Sequence, residues 1–124
     1  MTLTRITLRL ARNPDHGFPE GDDARGYTLA LPLDAAGHID EAAWLAARQR
    51  CTVESFAPDE DKRQGRLNRR GHNWFFDYDA SDTADDEPLF KLERHSFGLG
   101  DYVTIRDDED RMLTYRVSDA QPLE

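Results

Sequence analysis

The stretch ITLRLA, residues 6 to 11, decides the fold class, because its large apolar side chains recur at every second position. Ile6, Leu8 and Leu10 are separated by polar or small residues. A period of two is typical of a β-strand with one buried face and one solvated face. The same period returns in YTLALPL, residues 27 to 33, after a loop rich in Gly, Pro and Asp. The first part of the chain therefore predicts two β-strands.

Five more segments are predicted as strands, and turn-forming residues separate them. They are CTVESFA (51 to 57), NWFFDYD (73 to 79), PLFKLERHSF (88 to 97), DYVTIRD (101 to 107) and RMLTYRVSD (111 to 119). A short helix is predicted over residues 41 to 50, since EAAWLAARQR is rich in helix-forming residues and follows Asp40, a typical N-cap. About seven strands and one helix predict a mainly β fold at the α+β border, either a small antiparallel barrel or a strongly curled sheet.

The chain length of 124 residues is that of a single domain, so residues 1 to 124 are predicted to share one core. Two segments are predicted to be less ordered. Residues 79 to 87 are mostly acidic or small, and residues 119 to 124 form the C-terminal segment after the last predicted strand. They are predicted as a mobile segment and a flexible tail, because neither has the apolar pattern of a packed element.

Acidic residues outnumber basic ones, 25 to 16, which gives a net charge of -9. A negative field repels polyanions, so this charge opposes broad binding to nucleic acid or anionic membranes. No run approaches the roughly 20 apolar residues of a membrane-spanning helix, and the N-terminus lacks the apolar core of a signal peptide. A single cysteine, Cys51, excludes an intrachain disulfide and fits a reducing compartment. The sequence thus predicts an acidic cytoplasmic protein without a membrane partner.

The concentrated basic segment is KRQGRLNRRGHN, residues 62 to 73, which contains no acid. Its four arginines, the candidate contact residues, are Arg63, Arg66, Arg69 and Arg70. An acidic segment, residues 82 to 87, follows it in the sequence. Charges segregated in this way can pair with a complementary protein or with a second copy of the chain. The leading hypothesis is therefore a non-enzymatic binding or regulatory domain whose partner is another protein or itself as a homo-oligomer.

The basic segment leads into an aromatic one, which raises single-stranded nucleic acid as an alternative ligand. On a strand, Trp74, Phe76 and Tyr78 share one face and are predicted to line the core. Phe75 would then face solvent beside Asp77, which is a poor platform for a phosphate backbone. The alternation of side chains along the strand thus leaves Phe75 as a candidate binding residue. It also makes nucleic acid the less favoured partner.

A metal centre is the alternative from a different functional class. Glu93 and His95 project from the same face of a predicted strand, and this spacing can place two metal ligands side by side. His72 is the candidate third ligand. A solvated Glu and His on a strand face is the simpler interpretation. A metal-dependent enzyme or metal-binding protein stays open as an alternative, and no cofactor is predicted.

Nucleophilic catalysis finds little support in the sequence. It contains no G-x-S-x-G, G-x-x-x-x-G-K-[ST] or H-E-x-x-H motif. Cys51 lies near Arg48 and Arg50, which could lower its pKa, but a lone cysteine between a helix and a strand is more often buried packing. No catalytic residue is assigned.

Three stretches carry a resemblance to a known family: GYTLALPLDAAGHIDEAAW (26 to 44), WFFDYD (74 to 79) and HSFGLGDYVTIRDDEDRMLTYRV (95 to 117). Together they resemble a family of short, uncharacterised bacterial proteins that share G-Y-x-L-x-x-P-L-D-x-x-G-x-[IL]-D and G-[DE]-Y-V-x-I-R-D segments. The chain departs from that pattern at DDED, residues 107 to 110, where the family places a turn glycine. The resemblance implies a shared fold but no activity, cofactor or catalytic residue.

Overall fold

The fold is seen in a computed structural model, which confirms the predicted class: mainly β, with antiparallel strands. The described residues are 3–58, 60–71, 73–78, 87–90, 96–106 and 111–123. Eight strands lie within them: β1 (Leu3–Leu10), β2 (Asp22–Pro32), β3 (Thr52–Ala57), β4 (Glu60–Arg70), β5 (Asn73–Asp77), β6 (Glu87–Phe90), β7 (Tyr102–Arg106) and β8 (Met112–Pro122). Neighbours in sequence are neighbours in the sheet, and β1 pairs with β8, so the sheet closes into a barrel.

One helix and two 3-10 turns lie in the connections of the described chain. They are α1 (Glu41–Ala46), which joins β2 to β3, and the turns Pro14–His16 and Arg48–Arg50. Asp40 caps α1 as predicted, since its carboxylate accepts a hydrogen bond from the Ala43 N–H at 3.1 Å. The predicted helix over 41 to 50 is divided, because Ala47 leaves the helical conformation with φ at -137°. No helix in these ranges is long and apolar enough to span a bilayer.

β4 is the main difference from the sequence prediction, since most of the basic segment forms a strand that the sequence did not reveal. Along β4 the positions on the side of buried Leu67 are held by Arg63, Gly65 and Arg69. Apolar alternation therefore does not mark this strand. It is instead specified by its neighbours, because β4 pairs with β3 on one side and with β5 on the other.

β8 also extends beyond its predicted end. Residues 119 to 122 were expected in a flexible tail, but they belong to β8 and pair with residues 4 to 7 of β1. The reason is closure of the barrel: the first half of β1 needs a partner on its second edge, and the end of the chain supplies it. The predicted mobile segment, 79 to 87, lies outside the described residues apart from Glu87, the first residue of β6.

The barrel interior is filled by apolar side chains at alternate strand positions, as the period of two predicts. The largest fully buried ones include Ile6, Leu8, Leu29, Leu31, Val53, Phe76, Val103, Ile105 and Val117. Phe97 joins them from the segment before β7, where its backbone N–H donates to Gly37 O at 2.8 Å. These buried residues of the described chain thus belong to one continuous cluster.

Two strand glycines allow the sheet to curl tightly enough to close. A Cβ at Gly26 would lie 1.8 Å from Leu8 O, and a Cβ at Gly65 would lie 2.3 Å from Asp77 O. A side chain at either position would therefore clash with the backbone of the neighbouring strand, which passes close to the glycine. Gly65 matters for the candidate site, because it lets β5 bend across β4 next to Arg66.

α1 covers one end of the barrel through a single large side chain. Trp44 is 3% exposed, and its indole Nε1–H donates to Leu67 O at 3.0 Å. Its ring meets that of Trp74 edge to face, with the centroids 4.9 Å apart. The end of the barrel where β4 finishes is therefore closed by a tryptophan pair, and the arginines near the end of β4 lie beside it.

Candidate functional site

The four candidate arginines do not form one patch, because β4 turns alternate side chains to opposite sides of the sheet. Arg63 and Arg69 lie on the side of buried Leu67, near the two ends of the strand. Arg66 and Arg70 lie on the outer side. A basic segment that is continuous in sequence is thus divided between two faces. These four residues are called the β4 arginines below.

Arg69 is bound into the closed end of the barrel. Its guanidinium carbon lies 5.4 Å from the centroid of Trp44 and 5.3 Å from that of Trp74. Its Nη1 also forms an ion pair with Glu41 in the first turn of α1. A cation shared between two ring faces and a carboxylate fixes the helix against β4. Arg69 is therefore a structural residue and not a free contact.

Arg63 and Arg70 each stack on a ring of β5 or the residue after it. The guanidinium carbon of Arg63 lies 4.2 Å from the centroid of Tyr78, and that of Arg70 lies 4.3 Å from the centroid of Phe75. Such stacking covers the ring and removes part of the arginine from solvent. Three of the four β4 arginines are thus engaged by the protein's own aromatic side chains.

Phe75 corrects the expectation of a solvent-facing ring. It does lie on the outer side of β5, opposite Asn68, but only 4% of its surface is exposed. Arg70 stacks on the ring and supplies part of this cover. A base cannot stack on a face that is already occupied. The structural basis for a single-strand binding platform at Phe75 is therefore lost.

Arg66 lies in a groove on the outer side of β3, β4 and β5. The groove has a volume of about 720 Å³, and the side chains that give it its character are Arg48, Glu54, Gln64, Arg66, Asn68 and Asp77. This set, called the polar groove below, brings together two cations, two acids and two amides. Sequence analysis found only Arg66 of the six as a binding candidate. The others come from three strands and a 3-10 turn, and only the register of the strands brings them together.

The acids of the polar groove are already partnered. Glu54 accepts from Gln64 Nε2 at 3.1 Å and pairs with Lys62 Nζ at 3.5 Å. Asp77 accepts from Asn68 Nδ2 at 3.3 Å. Arg66 lies opposite Asp77 in the strand register, yet within the described ranges its side chain makes no ion pair or hydrogen bond. The guanidinium of Arg66 is thus a cation that the groove can offer to a ligand.

Cys51 is a packing residue. It is fully buried, and its Sγ–H points to Ala47 O at 3.4 Å. Removal from water raises the pKa of the Cys51 thiol, and the nearby positive charge of Arg50 offsets this only in part. The thiolate is therefore disfavoured, which opposes a nucleophilic role.

The metal hypothesis stays a prediction. Its residues Glu93, His95 and His72 lie outside the described residues. Among the side chains that the structure does describe, no group of three His, Cys, Asp or Glu residues is arranged to hold a metal ion.

Comparison with known proteins adds no relative. No family model, no curated protein and no solved structure matches the chain. The functional argument therefore rests on the geometry of the chain itself, and membership of the bacterial family indicated by the sequence stays a prediction.

Proposed function

We propose that the protein is a small non-enzymatic binding domain of the cytoplasm that holds an acidic segment of a protein partner in the polar groove. The observation that carries the proposal is Arg66, the only β4 arginine whose side chain is left without a ring, acid or hydrogen-bond partner in the described chain. Arg48, 5.1 Å above the Trp44 ring, adds a second positive charge to the same groove. A reduced, buried Cys51 is consistent with a cytoplasmic setting.

The chemistry of the groove favours a polypeptide over an apolar ligand. Arginine forks donate two parallel hydrogen bonds to a carboxylate. Gln64 uses its amide N–H on Glu54, which leaves its carbonyl oxygen to accept from a partner. Thr52 adds a hydroxyl. Because each strand of the described barrel has a hydrogen-bonded neighbour on both sides, we assign recognition to side chains and not to an added strand.

The partner is either another protein or a second copy of the chain, and the two are separable by experiment. Sedimentation of the purified protein over a range of concentrations and salt tests self-association. We expect Arg66→Gln to weaken a homo-oligomer and added salt to do the same, since exposed charges are screened over about 8 Å at physiological salt. Arg5→Gln is the matched control, because Arg5 is an exposed arginine on β1 whose side chain, among the described residues, hydrogen-bonds to Gln121 alone.

For a different protein as partner, a photocrosslinking residue is placed at Gln64 and, as the control, at Arg5. We expect a crosslinked polypeptide from position 64 alone, and its loss in the Arg66→Glu background. Equal crosslinking from both positions, or crosslinking that survives Arg66→Glu, contradicts the groove as the binding site. A monomer at all concentrations with no crosslink from position 64 contradicts the proposal as a whole.

A further inference from the structure

A second cluster of arginines lies on the outer side of β1, β8 and β7, away from the polar groove. Arg9 of β1 is directly opposite Arg116 of β8, and Arg116 is directly opposite Tyr102 of β7. Arg12 follows β1 and lines the same depression, whose volume is about 310 Å³. This set, Arg9, Arg12, Tyr102 and Arg116, is called the arginine row below. Its members come from both ends of the chain and meet only because β1 and β8 close the barrel.

The arginine row places like charges in directly opposed strand positions, and none of them forms an ion pair in the described chain. Directly opposed side chains on antiparallel strands have Cβ atoms about 5 Å apart, and like charges in directly opposed positions destabilise the pair. Glu20 and Asp23 line the depression, but no arginine of the row forms an ion pair with them or with any other described acid. An anion bound between Arg9 and Arg116 removes this repulsion.

Arg9 is held in place, which prepares the site before a ligand arrives. Its Nη1 donates to Asp23 O at 2.8 Å, and its Nε donates to Ser118 Oγ at 3.1 Å. Its guanidinium carbon also lies 5.9 Å from the centroid of the Phe56 ring. None of these three partners is a carboxylate, so the charge of Arg9 is not neutralised by an ion pair in the described chain. A fixed guanidinium loses little freedom on binding, which favours affinity for a small ligand. Arg12 and Arg116 are exposed and free of side-chain hydrogen bonds in the described chain.

We propose that the arginine row binds a phosphate group carried by a small molecule with a planar ring. A phosphate monoester has a charge near −2 and three acceptor oxygens, so it can accept from several guanidinium groups where a carboxylate would satisfy one. Tyr102 is 54% exposed at the edge of the row, and its ring is placed to contact the organic part of the ligand. The volume of the depression is at the lower end of the usual range for small-molecule sites.

The same surroundings argue against a long polyanion. Glu20 and Asp23 border the depression, and the whole chain carries a net charge of -9. Further phosphates along a nucleic acid would meet these negative charges. The site therefore fits one phosphate group with a small body. It is independent of the proposed function, because it shares no residue with the polar groove.

The test is a titration followed by NMR chemical shifts, with inorganic phosphate, phenyl phosphate and acetate at one fixed, low ionic strength. We expect phenyl phosphate to bind with a Kd of about 1 mM or tighter and acetate to bind much more weakly. Arg116→Gln is expected to weaken both phosphates by roughly tenfold or more, as the loss of a charged hydrogen bond implies. Arg66→Gln, in the polar groove, is the control and is expected to leave both affinities unchanged.

Tyr102→Ala separates the ring contact from the phosphate contact. We expect it to weaken phenyl phosphate several-fold and to leave inorganic phosphate unchanged. Thermal unfolding gives a second readout: Arg116→Gln, which removes a like-charge contact, should match or exceed the wild-type melting temperature without phosphate and lose the phosphate-dependent rise. Absence of saturable binding by both phosphates overturns the proposal. Acetate binding as tight as phosphate, or equal weakening by Arg66→Gln, overturns it as well.

Discussion

The β4 arginines and the arginine row show opposite relations between sequence and space. The β4 arginines are close in sequence, but the strand turns them to two sides, and three of them stack on aromatic rings of the same chain. In the arginine row, Arg9 and Arg116 are more than 100 positions apart in the sequence, yet strand pairing puts them directly opposite each other. A charged run in a β protein therefore does not define a charged surface. Cross-strand register does.

The difference is also energetic. An arginine stacked on a buried ring, such as Arg69, holds elements of the fold together, so its loss should appear as lost stability. An arginine without a ring, acid or side-chain hydrogen-bond partner among the described residues, such as Arg66 or Arg116, should be nearly neutral for stability and matter for binding. Stability measurements on matched arginine variants can therefore sort the two kinds without knowledge of a ligand.

The largest loss of stability is expected for a change at Trp44, one of the two rings that Arg69 contacts. Trp44→Ala should lower the free energy of unfolding by about 3–5 kcal/mol, the usual cost of truncating a buried aromatic side chain. The change also removes the indole donor from Leu67 O and the edge-to-face contact with Trp74. Urea unfolding, followed by circular dichroism, measures the loss.

Leu45→Ala is the control for the tryptophan variant, because Leu45 is the next residue of α1 and is 63% exposed. Its effect should lie within about 0.5 kcal/mol. In the Trp44→Ala background the effect of Arg69→Ala should shrink, since a double-mutant cycle reports the coupling between contacting residues. Additive effects in that cycle would show that Arg69 does not act through the ring.

The stability lost on truncation of Arg69 is next compared with that lost on truncation of Arg66. Arg69→Ala should cost about 1–2 kcal/mol, because it removes contacts to two rings and an ion pair with the exposed Glu41. Arg66→Ala should stay within about 0.5 kcal/mol. Both variants are compared by thermal and urea unfolding under the same buffer.

Glu41→Gln measures how much of the stability lost in Arg69→Ala comes from the ion pair and how much comes from the ring contacts. It removes only the ion pair, whose carboxylate side chain is 63% exposed, so it should cost less than Arg69→Ala. Equal costs for Arg66→Ala and Arg69→Ala would mean that the two arginines have the same environment in solution, and the division of the β4 arginines into structural and free residues would fail.

The fold class was predictable because most strands carry an apolar face. Ile6, Leu8 and Leu10 show the period of two in β1, and Asp40 marked the start of α1 correctly. β4 was not predictable in the same way, because the inward positions on either side of Leu67 are Gly65 and Arg69. Gly65 can occupy its inward position because β5 passes close to it, and Arg69 can occupy its own because its side chain contacts the tryptophan pair. Neither condition is visible in the sequence around β4.

The candidate site was only partly predictable for a related reason. Arg66 was found because it belongs to a basic run, whereas the remaining polar groove is assembled by the pairing of β3, β4 and β5. Phe75 was placed on the correct side of its strand, but its cover includes the Arg70 side chain, whose position the alternation of residues does not specify. The arginine row needed the closure of β1 on β8.

The smallest expected effect concerns Cys51, where sequence neighbours and spatial environment again disagree. Arg50 favours the thiolate, but burial outweighs it and raises the pKa of the folded-state thiol above its ordinary 9.0. The folded protein thus keeps a proton that the unfolded chain loses. Its contribution to stability is fully present below the unfolded-state pKa and is lost as the pH rises through that value toward the higher folded-state pKa.

The free energy of unfolding is measured for the wild type and for Cys51→Ala over about pH 8 to 10. The difference between the two isolates the contribution of the thiol, because all other titrating groups are shared. We expect the wild-type advantage over Cys51→Ala to shrink as the pH rises. Iodoacetamide at about pH 8 should react with the native thiol far more slowly than with the thiol of the urea-unfolded chain, since the thiolate is the reacting form and the native sulfur is fully buried. Equal rates in the two states would show that Arg50, the sequence neighbour, governs this thiol and that burial does not.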